Sequence, residues 1–294
     1  MTVVDDLKRG HGGDPANLDG CAITTVIADV GDATVVAPVV AGADFIFDLA
    51  GQVSHLASVA DPERDLALNT AAHLRLLEIL QDASHTARVV FTSTRQVYGR
   101  ATGLPVSENT LPRPMDVNGV AKLAAEHLHL LYASRRGGAT VVLRLSNVYG
   151  PRQHLRRADL GVLPVFIRRA LRGEPLVVFG SGHDTRDPVH VDDVVDAIIL
   201  ASLTDAAVGR VFNIGHEELF TITELAELIA ATAPQTSVVR HEEWPGEHAM
   251  IDVGPVQLSL TLAADVLGWK PRIAFPDGVR DTLAWFAMHP ERYR

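Results

Sequence analysis

Polar side chains at the ends of apolar segments are the residues of this chain that could carry chemistry. Asp5 ends the valine run at residues 3–4, and Thr94 ends the run at residues 89–93. Asn118 and Lys122 lie four residues apart in a helical pattern, so both face the same side of the helix. Asparagine does not titrate near neutral pH and cannot act as a base. Any proton transfer at this place must therefore involve a group other than Asn118.

The sequence does not support hydrolytic or metal chemistry. It contains no Gly-x-Ser-x-Gly pattern, and residues 180–182 are typical of a turn. His127 and His129 are two residues apart, which places them on different helix faces, and neither a cysteine nor an acid joins them at metal-ligand spacing. The only cysteine, Cys21, excludes an internal disulfide and is expected to be a small buried apolar residue. We predict that the chain holds no metal.

Composition limits the possible class of protein. The chain has 294 residues, 47% of them apolar and 21% charged, which is enough for a large buried core. Its formal net charge of −10 disfavours a nucleic-acid partner. No apolar run approaches the roughly 18 residues that a membrane span needs, and the start does not read as a signal peptide. We expect a cytoplasmic protein that does not associate with membranes.

Short runs rich in valine and isoleucine alternate with longer helical patterns. Strands are predicted at residues 2–4, 23–28, 44–48, 89–93, 140–145 and 211–214, and helices at 61–80, 117–133, 163–172, 191–203, 221–231 and 278–288. Such alternation is typical of βαβ units on a parallel sheet, and it predicts a Rossmann-like, doubly wound α/β fold. Residues 1–150, joined by 184–215, are predicted to form a dinucleotide-binding domain, and residues 151–183 and 216–294 a smaller substrate-binding region.

The start of the chain departs from the doubly wound pattern. That fold carries glycines after its first strand, where backbone amides bind a pyrophosphate. Here Gly10, Gly12 and Gly13 follow a strand, but residues 14–20 make no amphipathic helix, so a surface turn is the better interpretation. A strand ending in Asp5 instead matches a second strand, whose acid binds the adenosine ribose. We expect that a segment of about 30 residues precedes Met1, or else that the chain has lost its pyrophosphate loop.

Several motifs in order along the chain resemble the extended short-chain dehydrogenase/reductase family. The resemblance is to its NAD-dependent nucleotide-sugar epimerases and dehydratases, such as UDP-glucose 4-epimerase. The matching stretches are residues 4–7, 28–30, 47–50, 90–99, 122–126, 144–152, 184–187, 189–193, 212–215 and 267–269. The resemblance implies NAD as cofactor and a nucleotide sugar as substrate. It also implies a homodimer through the helices at 61–80 and 117–133, although their apolar faces could equally pack internally.

The resemblance assigns the cofactor contacts to strand ends. Asp5 would bind the ribose hydroxyls and select NAD over NADP, because its charge repels a 2′-phosphate. Asp29 and Val30 would border the adenine, and Leu49 and Ala50 would pass near the phosphates and the nicotinamide ribose. Each of these residues could instead serve only packing or a turn.

The catalytic positions depart from the family pattern. Relatives use a tyrosine four residues before the lysine as the base, with a serine or threonine beside it. Thr94 and Lys122 match this pattern, but the tyrosine position holds Asn118. Three explanations stay open: another polar residue moves the proton, Asn118 orients the substrate in a modified reaction, or the protein binds without turnover. The polar candidates for the proton transfer are Asp116, Tyr98, Tyr149 and His183.

The substrate positions show two further departures. Dehydratases of this family carry Asp-Glu after the threonine, whereas this chain has Arg95 and Gln96, which cannot serve as an acid/base pair. They could instead bind a substrate carboxylate or hydroxyl. By resemblance, Asn147 and Arg186 would contact the nucleotide diphosphate. The substrate-binding candidates also include Arg152, next to Arg156 and Arg157, while Trp244 stands where relatives often have an arginine.

These observations favour an NAD-dependent epimerase that acts on a nucleotide sugar by transient oxidation at a ring carbon. The catalytic set would be Thr94, Asn118 and Lys122. The main alternative is a non-catalytic or truncated binder of NAD or a nucleotide sugar. A nucleotide-sugar dehydratase or dehydrogenase is a lesser alternative.

Overall fold

The computed structural model of the chain describes residues 1–7, 13–82, 86–101, 103–157, 159, 161–244, 254–255 and 257–293. Backbone contacts separate two units. Unit 1 consists of Met1–Val97, Asp116–Arg144 and Ile198–Val211, and unit 2 consists of Tyr98–Met115, Leu145–Ala197 and Phe212–Arg294. The domain boundaries given above stay a prediction.

Strands and helices alternate along the chain. The strands are β1 (Thr2–Asp5), β2 (Thr24–Ile27), β3 (Phe45–Asp48), β4 (Arg88–Thr94), β5 (Ala139–Leu145), β6 (Asn147–Tyr149), β7 (Leu176–Phe179), β8 (Thr185–Arg186), β9 (Pro188–His190), β10 (Val211–Ile214), β11 (Phe220–Thr221) and β12 (Val239–Glu242). The helices are α1 (Ala33–Val40), α2 (His55–Ala60), α3 (Pro62–Leu66), α4 (Ala72–Asp82), α5 (Val117–Arg136), α6 (Val162–Leu171), α7 (Val191–Leu203), α8 (Ile222–Thr232), α9 (Thr261–Leu267) and α10 (Phe275–Met288).

All six predicted strands form within two residues of their predicted bounds, because β-branched runs favour extended backbone. The helix predicted at residues 61–80 is instead divided into α3 and α4 by a π-helical turn, Ala67–Ala71. Helix α1 is missing from the prediction because Pro38 and four valines disfavour a helix locally. It forms because the Asp32 side chain caps it and Val36 and Val40 are buried.

Unit 1 contains parallel strands covered by helices. Strand β4 lies between β3 and β5, whereas β1 and β2 form a separate parallel pair. Val4 of β1 and Ile46 of β3 nevertheless pack against one core cluster contributed by α1, α4, β4 and α5.

The long helix α5 is fixed at both ends. Asp116 is its N-cap and accepts a hydrogen bond from the Gly119 amide through Oδ1 at 2.7 Å. Gly137 ends it in the left-handed conformation at φ 72°, which favours glycine. Between these caps, Asn118, Lys122 and other polar residues are buried. Helix α5 therefore presents polar side chains to the interior of unit 1.

Unit 2 has an apolar core of its own. It is built around Phe166 of α6, Ile229 of α8 and Phe286 of α10. Helix α8 begins with a capping box, in which the Thr221 hydroxyl and the Glu224 carboxylate each accept from the other residue's backbone amide.

Two remaining features concern the surface and membrane association. Cys21 is exposed, so the prediction of a buried cysteine is wrong. The reason is that Cys21 lies in the irregular connection before β2, where its backbone amide bonds to Leu18.

Among the described residues, no helix combines the length and the hydropathy that a bilayer crossing requires.

Gly278 of α10 provides a test of packing in unit 2. A Cβ atom there would lie 2.2 Å from the hydroxyl oxygen of the buried Tyr149. Gly278→Ala should therefore lower the free energy of unfolding by about 1–3 kcal/mol through overpacking, despite alanine's higher helix propensity. Urea denaturation measures this, with Gly103→Ala as control because its Cβ would meet open space. Equal midpoints for the two variants would contradict this packing.

Candidate active site

Lys122 lies at the carboxyl ends of two neighbouring strands. Its Nζ donates to the carbonyl oxygens of Ala50 and Thr92, each at 3.3 Å, and lies 4.8 Å from the centre of the Phe91 ring. Burial lowers the pKa of Lys122 to about 8, against the opposing charges of Asp48, Asp65 and Glu126. The amine is therefore predominantly a fixed cation at neutral pH, positioned next to the backbone at Ala50.

The backbone after β3 approaches α5 closely. Gly51 has φ 137°, and a Cβ atom there would lie 2.4 Å from Asn69 Oδ1 and 3.0 Å from Lys122 Nζ. Only glycine allows this approach. Leu49 is 58% exposed and Ala50 is half-buried, so this turn presents backbone and side chain outward beside Lys122.

Asn118 belongs to a buried polar network. Its Nδ2 donates to the Gln52 carbonyl oxygen at 2.9 Å and to Asp65 Oδ1 at 3.2 Å. Asn69 donates to the same two oxygens, each at 3.0 Å, and its Oδ1 accepts from the Gln52 amide. Asn118 is only 3% exposed. Its amide therefore joins α5 to α3 and to the turn after β3.

A second chain of hydrogen bonds links Thr94 to the start of α5. The Gln96 amide donates to Thr94 Oγ1 at 3.2 Å, and Gln96 Nε2 lies 3.4 Å from His55 Nε2. The other ring nitrogen, His55 Nδ1, lies 2.6 Å from Asp116 Oδ2. His55 was missing from the predicted site residues, because its partner Asp116 lies 61 residues further along the chain. No local spacing joins them.

The predicted adenosine contacts lie at the ends of β1 and β2. These two strands are parallel, and the Ala28 amide donates to the Asp5 carbonyl oxygen at 3.2 Å. Asp5 Oδ1 accepts from the Leu7 amide, and Asp29 Oδ1 from the Gly31 amide. Val30 is half-buried beside them. Gly10 and Gly12 of the glycine segment lie outside the described residues.

The predicted substrate residues divide between the units. Arg95 and Gln96 follow β4 in unit 1, where Arg95 is 7% exposed. Asn147, Arg152 and Arg186 belong to unit 2.

The unit 2 residues have different surroundings. Asn147 Oδ1 is buried and has no hydrogen-bond partner among the described residues. Arg152 has φ 66° and lines a cavity of about 550 Å³ together with Tyr149 and Asp192. Arg186 Nη1 donates to the carbonyl oxygens of Thr185 and Gly254.

The three arginines at positions 152, 156 and 157 differ in their contacts. Arg157 pairs with Asp159 at 2.5 Å, and Arg156 donates to the Glu291 carbonyl oxygen. Arg152 is thus the member of the three that faces the cavity.

A cluster of three buried ionisable side chains consists of Asp48, His73 and His129. Asp48 Oδ2 is 2.7 Å from His73 Nδ1 and 3.3 Å from His129 Nε2. Burial raises the pKa of Asp48, but the two histidines outweigh it, so the pKa lies well below its usual range. One ligand atom from each residue lies within 4.8 Å of the others. Asp48 belongs to β3, far from His129 in the sequence, so the local spacing around His129 does not indicate it. The expected absence of a metal stays a prediction.

The four candidate proton-transfer residues differ in how well their surroundings suit them to accept a proton. Burial, with nearby Asp193, raises the pKa of Tyr149 far above its usual range, so Tyr149 is unsuited to act as a base. The Tyr98 hydroxyl donates to Asn213 Oδ1 at 2.7 Å. His183 is exposed in the connection between β7 and β8 of unit 2. Of the four candidates, only Asp116 belongs to the same unit as Thr94 and Lys122.

These parallel strands, covering helices and strand-end polar groups define an α/β protein of the Rossmann type, as the sequence predicts. The pattern of the NAD dependent epimerase/dehydratase family matches residues 2–215. The chain therefore belongs to this NAD-dependent family. Over 246 residues it is 34% identical to UDP-glucose 4-epimerase of Mycolicibacterium smegmatis, an alignment that covers 83% of this chain and 76% of that protein.

Two solved structures extend the comparison to the fold. UDP-glucose 4-epimerase of Thermotoga maritima, solved with UDP-glucose, superposes with a TM-score of 0.87 at 31% identity, covering 98% of this chain and 91% of that one. The dTDP-glucose 4,6-dehydratase DesIV of Streptomyces venezuelae, solved with NAD, gives 0.88 at 26% identity, covering 99% and 88%. The predicted Rossmann-like fold and the family resemblance are confirmed.

The Asn118 network predicts a stability effect. Asn118→Ala should lower the free energy of unfolding by about 1–3 kcal/mol, because Gln52 and Asp65 each lose a buried donor. Asn118→Asp should cost more, because it places a second carboxylate against Asp65. Urea denaturation measures both, with Asn109→Ala and Asn109→Asp at an exposed position as matched controls. Equal losses at the two positions would contradict the network.

The lowered pKa of Lys122 predicts a pH effect on stability. Between pH 8 and pH 10.5 the unfolded chain holds a proton that the folded amine has released. The free energy of unfolding should therefore rise with pH across this window, relative to Lys122→Met. Below pH 8 both states hold the proton, and the difference should be constant. Denaturation across this range tests it. The exposed Lys270→Met is the control, and a flat Lys122→Met difference would refute the shift.

Proposed function

We propose that this protein is an NAD-dependent epimerase that acts on a nucleotide-activated sugar by transient oxidation and reduction at a ring carbon. The observation that carries the proposal is the position of Lys122. Its amine donates to the carbonyl oxygens of Ala50 and Thr92, and Thr92 lies two residues before Thr94 in β4. The Lys122 cation therefore lies at the carboxyl ends of β3 and β4, where open α/β sheets bind ligands, and Thr94 is the last residue of β4.

The residues fit a nicotinamide dinucleotide at its two ends. Asp5 at the end of β1 would bind the adenosine ribose, beside Asp29 and Val30. The close turn at Gly51, with Leu49, Ala50 and Lys122, would bind the nicotinamide ribose. When bound, NAD accepts a hydride and returns it. Lys122 would orient the ribose, and Thr94 would donate to or accept from the reacting hydroxyl.

Substrate binding would fall to unit 2. Asn147 Oδ1 is a buried acceptor without a partner among the described residues, which a hydroxyl or N–H of the nucleotide sugar would fill, and Arg152 lies at the cavity. The donors that would hold the nucleotide diphosphate are Asn147 Nδ2, Arg152 and Arg186, for which arginine's planar fork is suited. UDP-glucose in the Thermotoga maritima relative is consistent with a nucleotide sugar of this kind.

A 4,6-dehydratase is less favoured because Arg95 and Gln96 supply no acid/base pair after Thr94. The alternative from another class is a protein that binds NAD and a nucleotide sugar without turnover. The occupied amide of Asn118, at the position of the family tyrosine, favours this alternative.

We further propose a cytoplasmic homodimer. The single cysteine is consistent with that location, and Leu74 of α4 and Val120 and Leu131 of α5 are exposed apolar residues that could pair.

Substrate-dependent reduction of NAD tests the function. The purified protein, supplied with NAD and a panel of UDP- and dTDP-hexoses, should form epimer and show transient absorbance of reduced nicotinamide. Lys122→Met should lower kcat/KM at least about 100-fold. The exposed Lys270→Met is the matched control and should stay within twofold. Binding of both ligands without reduced nicotinamide or epimer would instead support the non-catalytic alternative.

A further inference from the structure

The proposed reaction needs a group that takes a proton from a sugar hydroxyl, and Asn118 cannot supply it. His55 is the first residue of α2 and follows directly after the turn that carries Gln52 and Ser54. It belongs to unit 1, as Thr94 and Lys122 do. Its side chain is 24% exposed, so it is accessible to a ligand.

The orientation of the His55 ring is fixed by Asp116. Asp116 Oδ2 lies 2.6 Å from His55 Nδ1, and Asp116 Oδ1 accepts from the Gly119 amide as the N-cap of α5. Partial burial raises the pKa of Asp116, but the hydrogen bond and charge of His55 outweigh it, so the pKa lies below its usual range. A carboxylate that accepts from Nδ1–H leaves the lone pair on Nε2.

The remaining nitrogen of His55 is directed toward Gln96, a predicted substrate-binding residue two positions after Thr94. Gln96 Nε2 lies 3.4 Å from His55 Nε2, and the Gln96 backbone amide bonds to Thr94 Oγ1. A neutral Nε2 accepts from the glutamine amide, whereas a protonated Nε2 would face the amide oxygen after rotation of that group. Gln96 can therefore accommodate both protonation states of His55.

We propose that His55 Nε2 is the proton-transfer group of this enzyme and that Asp116 is its positioning residue. The proposal rests on the proposed epimerase function. The sugar O–H bond breaks and its proton goes to Nε2, the released electron pair forms the second bond of a ketone, and the C–H hydride leaves to the nicotinamide. The reverse transfer returns both to give the epimer. Atoms and charge balance without a further reactant.

The charges around His55 are compatible with this role. Helices α3 and α5 pack against α2. The ionisable groups of α3 are Glu63, Arg64 and Asp65. Those of the first three turns of α5, with its N-cap, are Asp116, Lys122, Glu126 and His127. The direct partner is the Asp116 carboxylate, which favours the protonated imidazole that forms during the reaction.

Chemical rescue separates catalysis from a structural role. His55→Ala should lower kcat about 100- to 10,000-fold with little change in KM, and added imidazole should restore at least tenfold of the loss. His127→Ala, an exposed histidine on α5, is the matched control and should keep kcat within twofold without a response to imidazole. Asp116→Asn keeps a good N-cap but removes the charge, so it should shift the acid limb of the kcat profile to lower pH.

A second readout does not depend on turnover. In protein labelled at the histidine rings, the signal lost in His55→Ala identifies His55 among the 13 histidines. We expect this signal to shift on addition of UDP-glucose to the unliganded protein. The control signal of His127 should not shift.

The outcomes distinguish this proposal from the function on which it rests. If wild-type protein turns over a sugar nucleotide while His55→Ala keeps more than half of its kcat, or stays inactive with imidazole, His55 is not the proton-transfer group. If wild-type protein turns over no sugar nucleotide, the epimerase proposal and this one both fail. A His55 ring signal that does not shift on addition of UDP-glucose would also overturn the proposal.

Discussion

The buried polar face of α5 is the constraint on which unit 1 depends. Asn118, Lys122 and Glu126 lie four residues apart in turn, so all three face the interior. A buried polar group without a partner costs about 1–3 kcal/mol, and more when it is charged. The surrounding elements must therefore supply a partner at each turn of the helix. That requirement fixes the turn after β3 and the carboxyl end of β4.

The buried polar residue on each successive turn of α5 has different hydrogen-bond partners. Asn118 meets the carbonyl of Gln52 and the carboxylate of Asp65, while Lys122 meets two strand-end carbonyls. Glu126 accepts from Arg144 of β5 through two oxygens, and from the Ser93 hydroxyl. The cation and the ion pair thus lie between the sheet and the helix. This arrangement orders the strand ends more firmly than an apolar face would, because hydrogen bonds are directional.

Much of the scaffold follows from local sequence, whereas the partners of its polar groups do not. Runs such as residues 89–93 specify strands directly, and the spacing of Asn118 and Lys122 specifies a shared face. Helix α1 escapes prediction because burial of Val36 and Val40 overrides poor local propensity. The roles assigned to Asp5 and Thr94 stay predictions. Two side-chain pairs form only when distant segments meet, so no local spacing in the sequence predicts them. They are His55 with Asp116, and Asp48 with His129.

The polar face also explains why a tyrosine at position 118 would not simply recreate the family site. The Asn118 side chain is enclosed and donates to two acceptors through one amide nitrogen. A phenol has one donor and a much larger ring, so it would displace Gln52 or leave Asp65 with only the donors of Asn69 and Gln52. The neighbouring Asp65 would also raise the pKa of such a phenol. Under the proposed function, positioning and proton transfer would therefore fall to different elements: α5 would supply fixed dipoles and a cation, and His55 at the start of α2 would move the proton.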